Sequence, residues 1–472
     1  MSRIDAVVVG SGPNGLAAAI TIAQTGRSVV LFEAADTIGG GCRSAELTLP
    51  GFVHDVCSAI HPFAVASPAF RSLPLEAHGL TWVEPPVMAA HPLDGGRAAA
   101  VYRSVERTAN ELGDDRHAYA DLFGPLVESW PRIENAVLGP LRWPKHPLAL
   151  ARFGFRALQS AEGLARRWFS SVPARALVGG MAAHGMLPLD KPLTAGIGVT
   201  LMLMAHVAGW CFPRGGAQRL SDALAAHFRL LRGEIVTGHP IRSVRDLPPA
   251  RAILFDLSPR PLLRIAGELF PRSYRHALQR YRYGLGVFKV DWALADPIAW
   301  RDPLCGESAT VHLGGTLDEI ARSEREPWNG HASDRPFVLL AQPTLFDPTR
   351  APAGRHTAWA YCHVPSGSAT DMLPHIEDQI ERVAPGFRDR VLARSVMQPA
   401  DIEHMNPNLV GGDIAAGVSD LGQFFTRPTW RTYSTPARGL YICSASTPPG
   451  VGVHGMCGYF AAQRALDEVL RE

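Results

Sequence analysis

Near its start the chain reads Asp5-Ala-Val-Val-Val-Gly10-Ser11-Gly12-Pro13-Asn14-Gly15, and after a stretch of small apolar residues it continues Val29-Val-Leu-Phe-Glu33. Three glycines at this spacing, after an apolar run and before a helical one, suit the binding of a dinucleotide. Gly10 makes the tight turn, Gly12 lets the backbone approach a pyrophosphate, and Gly15 lets the helix lie close on the strand. The unpaired amides and positive dipole end of that helix, around Ser11, Pro13 and Asn14, then face the phosphates. Glu33 ends the second strand, where a carboxylate accepts hydrogen bonds from both hydroxyls of an adenosine ribose. A 2′-phosphate there would be repelled.

Ala34 follows, and then a second cluster, Gly39-Gly40-Gly41-Cys42-Arg43-Ser44. A nicotinamide domain has no need of it. FAD is longer, and its pyrophosphate is approached from two sides. Gly40 and Gly41 allow the approach and Arg43 supplies charge. The last unit of the chain repeats the strand-loop-helix grammar with Tyr441-Ile-Cys-Ser444-Ala445-Ser446 and the loop Gly450-Val451-Gly452-Val453-His454-Gly455. An alanine-rich helix over 457–470 follows, its N-terminus placed to stabilise negative charge on a reduced flavin ring. His454 is the one titratable group expected near that ring, either as a catalytic base or as a hydrogen-bonded loop residue. Cys457 reads as a small buried helix residue and not as a point of covalent flavin attachment. No Ser/His/Asp arrangement and no metal-ligand spacing is visible.

The elements that must position these residues follow from length and pattern. At 472 residues, 46% hydrophobic and 19% charged, the chain is globular and long enough for two domains. A net charge of +2 gives no footprint for nucleic acid. The seven cysteines are scattered without a C-x-x-C, so no disulfide framework, zinc knuckle or redox pair is expected. The first strand opens without a signal peptide ahead of it, which points to the cytoplasm.

Short strands are expected at 45–49 and 52–56, and helices divided by Pro and Gly from 63 to 209. These include one capped by Ser104, one over 119–130, and Arg-rich stretches over 150–169. Residues 195–212 are the most apolar stretch, and they read as a buried helix lining a cavity, with a membrane-dipping element as the alternative. Residues 233–244 read as a strand pair that carries Ile241, and 251–257 as a sheet strand. Three long strands are expected at 285–294, 337–345 and 356–363, the first with Phe288, Val290 and Trp292 alternating as in a one-sided sheet. An amphipathic helix covers 371–383. The layout is α/β: a discontinuous Rossmann-type FAD-binding domain (1–62, 213–284 and 430–472) with an inserted α+β substrate domain (63–212 and 285–429). The flavin ring is expected at their junction.

Taken together, Gly10-x-Gly12-x-x-Gly15, Glu33, Gly39-Gly40-Gly41-x-Arg43, Asn406-Pro-Asn-Leu-Val-Gly-Gly-Asp413 and the terminal Pro-Gly-x-Gly-x-His-Gly-Met resemble the phytoene desaturase-like flavoproteins. The likeness is strongest to the phytoene dehydrogenase-related branch, which includes proteins with a pyridine nucleotide-disulfide oxidoreductase domain, within the wider flavin amine oxidase superfamily. The resemblance implies one non-covalent FAD. It places Ile241 beside the adenine, and Ser58, Ala59, Ser444, Ala445, Gly452, Val453 and His454 near the pyrophosphate or the flavin ring. The branch's name implies disulfide chemistry, but this sequence denies it, having no C-x-x-x-x-C and no second G-x-G-x-x-G for NAD. Val451 stands where relatives commonly carry a glycine. The expected activity is a dehydrogenase or oxidase that moves hydride from an apolar, isoprenoid or lipid-like molecule to flavin. Peripheral membrane contact is a further expectation. The alternatives are an amine oxidase-like enzyme, to whose aromatic cage Trp359 and Tyr361 would contribute, and a flavoprotein with a structural or protein-binding role.

Overall fold

In the computed structural model, which describes residues 4–471, the first glycine turn sits at the rim of a five-stranded parallel sheet. Its strands run in the order Leu440–Ile442, Ala250–Phe255, Ile4–Val9, Val29–Phe32, Glu234–Val236, and every neighbouring pair is parallel. The residues that follow the strands, among them Gly10, Glu33, Asp256 and Cys443, therefore emerge at one edge. Ile4–Val9 lies at the centre, where the winding reverses, and open α/β sheets bind ligands at the carboxyl ends beside such a point. Both faces are covered, as an all-parallel sheet requires. Ala6 and Val8 pack with Leu16 and Ala461, from the helices Pro13–Ala23 and Met456–Glu468. Val7 and Val9 pack with Leu262 and Phe270 on the other side. The two helices cross at Gly458, where a Cβ would stand 1.8 Å from the Asn14 carbonyl oxygen.

The second sheet has seven strands in the order Val391–Met397, Gly286–Leu294, His356–Val364, Val338–Ala341, Thr310–Leu313, Ala89–Pro92, Ala98–Val101. Its pairs are antiparallel except where Val311 meets Ala90. All strands of the first sheet come from 1–62, 213–284 and 430–472, and all of the second from 63–212 and 285–429.

Several elements depart from the sequence expectation. Gly286–Leu294 is buried along its whole length, so it is not one face of a one-sided sheet. Phe288, Val290 and Trp292 pack with Ile376 and Ile380 of the helix Leu373–Val383. The opposite face is closed as well, over a buried ion pair of Lys289 and Asp291. The expected strand pair over 233–244 is the single strand Glu234–Val236, because Gly238 (φ +62°) turns the chain and Pro240 has no N–H for a ladder. The amides of Gly238 and His239 bond instead to the carbonyls of Ala35 and Glu33. The strand expected at 337–345 is only Val338–Ala341, since Pro343 opens a 3₁₀ turn. The helix expected over 119–130 runs Arg116–Val137, straight through Pro125 and Pro131. The Arg-rich stretch is two helices, Pro147–Ala157 and Ala161–Trp168, the second capped by Ser160. Strands 45–49 and 52–56 are the shorter hairpin Ser44–Glu46 and Val53–Asp55.

The apolar stretch 195–212 contains the helix Thr194–Val207. At 1.5 Å per residue it spans roughly 21 Å, short of the ~30 Å of a bilayer core. Among the described residues no helix is long and apolar enough to cross a membrane.

Candidate functional site

A cavity of about 1720 Å³ runs from the edge of the parallel sheet past the seven-stranded sheet to the surface. That exceeds the roughly 300–1,000 Å³ of a pocket for one drug-sized molecule. Of the residues expected to hold a dinucleotide, all but Gly15 line it. Gly15 has the packing job expected of it, since a Cβ there would stand 2.0 Å from the Gly10 carbonyl oxygen. Gly10 takes φ +102°, a left-handed turn closed to other residues without strain. A Cβ on Gly40 would stand 3.1 Å from the Gly12 Cα, so the two glycine loops meet backbone to backbone.

The Glu33 carboxylate is fixed at this rim. It accepts the Ser11 N–H at 2.9 Å, the Ser11 hydroxyl at 2.6 Å and the Ala35 N–H at 2.9 Å. Arg43 donates through Nε to the Gly40 carbonyl at 2.9 Å and has no carboxylate partner among the described residues. Its remaining donors are free for an anion. Cys42 and Cys457 are buried, and burial pushes both thiols up to about 12, so neither is a thiolate at neutral pH.

Asp256 lies outside the set of residues expected from the sequence. It follows the strand Ala250–Phe255 and lies beneath the glycine turn, where Oδ2 accepts the Gly15 N–H at 3.0 Å. Enclosure by protein pushes its carboxyl up to about 7; the Gly15 amide opposes this and the Glu33 charge adds to it. A Cβ on Gly12 would stand 2.6 Å from this oxygen, so the bare Gly12 makes room for Asp256 as well as for a ligand. The sequence does carry a signal for it, because Ala-Ile-Leu-Phe-Asp256 repeats the pattern of Val-Val-Leu-Phe-Glu33. Asn408 closes the cavity beside it, accepting the Ser258 N–H at 2.8 Å.

His454 lines the cavity, and its Nδ1 accepts the Met456 N–H at 3.0 Å. Burial lowers it to about 4, so the ring is neutral and carries its proton on Nε2. The lone pair a base needs is therefore engaged in ordering the start of the last helix.

The far wall comes from the second sheet. Trp359 and Tyr361 stack with centroids 5.7 Å apart and planes at 11°. Beside them lie Trp210, which donates to Thr310 at 2.9 Å, and His184, which bonds His312 at 3.0 Å. Burial lowers His184 to about 3 and His91 to about 4, so these rings are neutral. Behind Trp359 the Lys289 ammonium sits 5.6 Å from its ring centroid. The paired Asp291 is pushed up to about 6 by burial, against the pull of Lys289, and lies 3.5 Å from His54 Nδ1. Gly196, Ile197, Thr200 and Leu201 of the helix Thr194–Val207 complete the wall. Among the described residues the lining holds two carboxylates, Glu33 and Asp256, both at the glycine-loop end. Arg350, wholly buried, ties this architecture together through Asp55 (2.5 Å), Asp347 (3.0 Å) and the Pro213 carbonyl (2.8 Å).

Residues 8–73 match the NAD(P)-binding Rossmann-like domain. The chain is 26% identical to the pyridine nucleotide-disulfide oxidoreductase domain-containing protein 2 of Rattus norvegicus, over 97% of this chain and 92% of that one. It is 21% identical to a component chain of the limonene dehydrogenase of Castellaniella defragrans, over 99% and 95%. A triple mutant of putrescine oxidase shares the fold with a TM-score of 0.65 at 16% identity, over 100% and 99%. These relatives and this structural neighbour are oxidoreductases, and the fold is the Rossmann-type α/β arrangement that the glycine motif announced.

Proposed function

We propose that this chain is an FAD-dependent oxidoreductase, a dehydrogenase or oxidase, that removes hydride from an apolar, isoprenoid or lipid-like molecule. The residues present fit FAD: two glycine loops that Cβ atoms would block, an unpaired Arg43, and a cavity larger than one small ligand needs. When bound, FAD supplies the hydride acceptor. The amides of the first turn and Arg43 hold the pyrophosphate, Glu33 the ribose, and Ile241 the adenine. A ribose donating twice to Glu33 takes the place of the Ser11 hydroxyl, because a carboxylate accepts about four hydrogen bonds and three are already made. Ser58, Ala59, Ser444, Ala445 and the segment Gly452-Val453-His454 border the ring. No proton transfer is assigned to His454, and an alkane-like C–H bond needs no base. The chain's own part is to orient the substrate and keep water away from it.

The observation that carries this reading is the cavity beyond the glycine loops, whose walls are apolar and aromatic and hold no carboxylate. The relative named for limonene acts on a molecule of the same character. An amine oxidase-like activity is the second reading, favoured by the stacked Trp359 and Tyr361. Stacked side by side, however, the two rings make one wall and not a cage. Beyond the glycine loops the lining holds no carboxylate to pair with an ammonium, and the Asp291 carboxylate behind Trp359 is already matched by Lys289. Acid precipitation of the purified protein is expected to leave FAD in the supernatant. Under anaerobic conditions terpenes or long-chain lipids are expected to bleach the flavin. Bleaching by amines alone, or flavin retained on the pellet, would overturn the proposal.

A further inference from the structure

The apolar wall of the cavity carries two polar atoms that nothing in the protein satisfies and that stay open to the cavity. Their place is set by the seven-stranded sheet. His312 stands opposite Leu339, and Leu339 opposite Tyr361, so the three side chains lie in a row on one face. Leu339 and Tyr361 line the cavity, and His312 is wholly buried behind it. His184, at the end of the helix Val172–Ala183, covers His312 and joins it Nε2 to Nε2 at 3.0 Å. Its ring meets Trp210 edge-on, with centroids 6.2 Å apart. With Nε2 engaged, Nδ1 remains. It has no partner among the described residues and, unlike Nδ1 of His91 and His312, it is not enclosed by protein. His184 is half-buried and lines the cavity, so this atom faces the substrate's space. The Tyr361 hydroxyl is likewise open and unpaired among the described residues.

A pure hydrocarbon filling this space would strip water from both atoms and leave each without a hydrogen bond. A charged group finds no match either. The acids of the lining, Glu33 and Asp256, stand at the glycine-loop end. Of its arginines, Arg43 belongs to that end, Arg242 adjoins Ile241, and Arg264 lies on the helix Pro259–Ala266 that packs with Ile241. Arg427 donates to the carbonyls of Ala415, Ala416, Gly417, Val418 and Ala445. What the wall matches is an uncharged oxygen on an otherwise apolar molecule.

We propose that the substrate is an apolar alcohol whose hydroxyl bonds His184 Nδ1. The inference rests on the proposed function and narrows its substrate class. As hydride leaves the carbinol carbon for the flavin, the O–H bond breaks and its proton passes to His184 Nδ1. The electron pair of that bond closes the C=O double bond of an aldehyde or ketone. His184 Nε2–H donates to His312, which holds the ring in the tautomer with its lone pair on Nδ1. Burial lowers the ring to about 3, so that lone pair is free at any working pH. An alcohol stripped of hydride is a protonated carbonyl, a far stronger acid than an imidazolium, and a weak base is enough to take its proton.

Four eight-carbon probes test this on the holoenzyme: octane, 1-octanol, octylamine and octanoate, each titrated against the absorbance of the oxidised flavin. 1-Octanol should bind roughly tenfold or more tightly than either charged probe. His184→Leu and, separately, His184→Phe should move the affinity ratio of 1-octanol to octane about tenfold toward octane. Tyr361→Phe should move it the same way, but less. His184→Gln keeps a hydrogen-bonding group and should hold the ratio, yet slow anaerobic flavin bleaching by 1-octanol about a hundredfold. FAD content and melting temperature report the fold of each variant. A ratio unmoved in the folded His184 variants overturns the proposal, and octane binding there leaves the proposed function standing. Tighter binding of octylamine than of 1-octanol overturns both, as does failure of octane and 1-octanol alike to bind. Bleaching by 1-octanol as fast in His184→Gln as in the wild type overturns the proton transfer. The ratio is read from binding alone and does not wait on turnover.

Discussion

The inner strands of the five-stranded and the seven-stranded sheet are covered on both faces, yet the two sheets fill the covered space differently. Around Ile4–Val9 both faces hold apolar side chains, and the charged groups Glu33 and Asp256 stand at the edge where a ligand comes. The seven-stranded sheet puts its charges inside. Lys289 and Asp291 pair within it, Glu324 bonds His363 at 2.7 Å, and His91 and His312 are wholly buried. One sheet is a generic floor whose chemistry is confined to its rim. The other carries a polar interior that fixes the aromatic wall of the cavity from behind. Buried groups of this kind are strongly destabilising when broken and sensitive to pH, so the two regions should respond in opposite ways to the same perturbations.

The largest effect expected is acid unfolding that originates in the second region. Burial lowers His91 and His184 from 6.5 to about 4 and about 3, and it lowers His312 well below 6.5 too. His54 and His61, at the junction, fall to about 3 and about 4. A base whose folded pKa is depressed is protonated first in the unfolded chain. The stability it contributes is therefore present above 6.5 and lost as pH falls toward the folded values. The melting temperature should drop steeply as pH falls from about 6.5 to about 4. A flat profile over that range would show that these rings are not held neutral inside.

Next in size is Arg350→Met, which leaves Asp55 and Asp347 buried without their cation. Breaking a buried pair by removing one partner costs about 3–5 kcal/mol. Urea unfolding should show it, and Arg350→Met/Asp55→Asn/Asp347→Asn should recover much of the loss. A loss below about 1 kcal/mol, the scale of a surface pair, would mean that the cation is not needed there. Glu33→Ala tests the rim of the first sheet. Hydrogen bonds to a charged acceptor are worth about 1.5–3 kcal/mol each, so FAD affinity should fall roughly tenfold or more. An unchanged affinity in titration of the apo protein would remove Glu33 from the site.

The same contrast decides what could be read from the sequence. Gly10, Gly12, Gly15 and Glu33 act through local geometry, and their spacing alone locates the rim and the parallel sheet around it. In Val287-Phe-Lys289-Val-Asp291-Trp the alternation of apolar and charged residues looks like a core face and a solvent face. The hairpin residue His54 and Trp359, both remote in sequence, close over the charged side. His184 and His312, or Glu324 and His363, are likewise partners without a shared pattern. Gly238-His-Pro240 and Pro343 are legible as breakers, yet the apolar residues beyond them extend the expected strands too far.

The smallest effect, and the sharpest divider of the two regions, is the pH response of Asp256. Its folded pKa of about 7 stands above the ordinary 3.8, so here the folded chain holds a proton that the unfolded chain has released. The stability this contributes is fully present below 3.8 and lost as pH rises through about 7, opposite in sign to the histidines. Asp256→Asn keeps an oxygen for the Gly15 N–H and removes the titration. Relative to wild type the variant should gain on the order of 1 kcal/mol above about pH 8, reduced by water in the cavity, and little near pH 5. A pyrophosphate brought to the glycine turn places more negative charge beside Asp256 and favours its protonated form. Binding of FAD to the wild type should then take up as much as about half a proton at pH 7, where the carboxyl is already about half protonated, and more as the pH is raised toward 8, and binding to Asp256→Asn none. Calorimetry in two buffers of different ionisation enthalpy reads that uptake directly. Equal proton uptake by the two proteins would place the phosphates away from Asp256 and return the carboxyl to a purely structural role under Gly12.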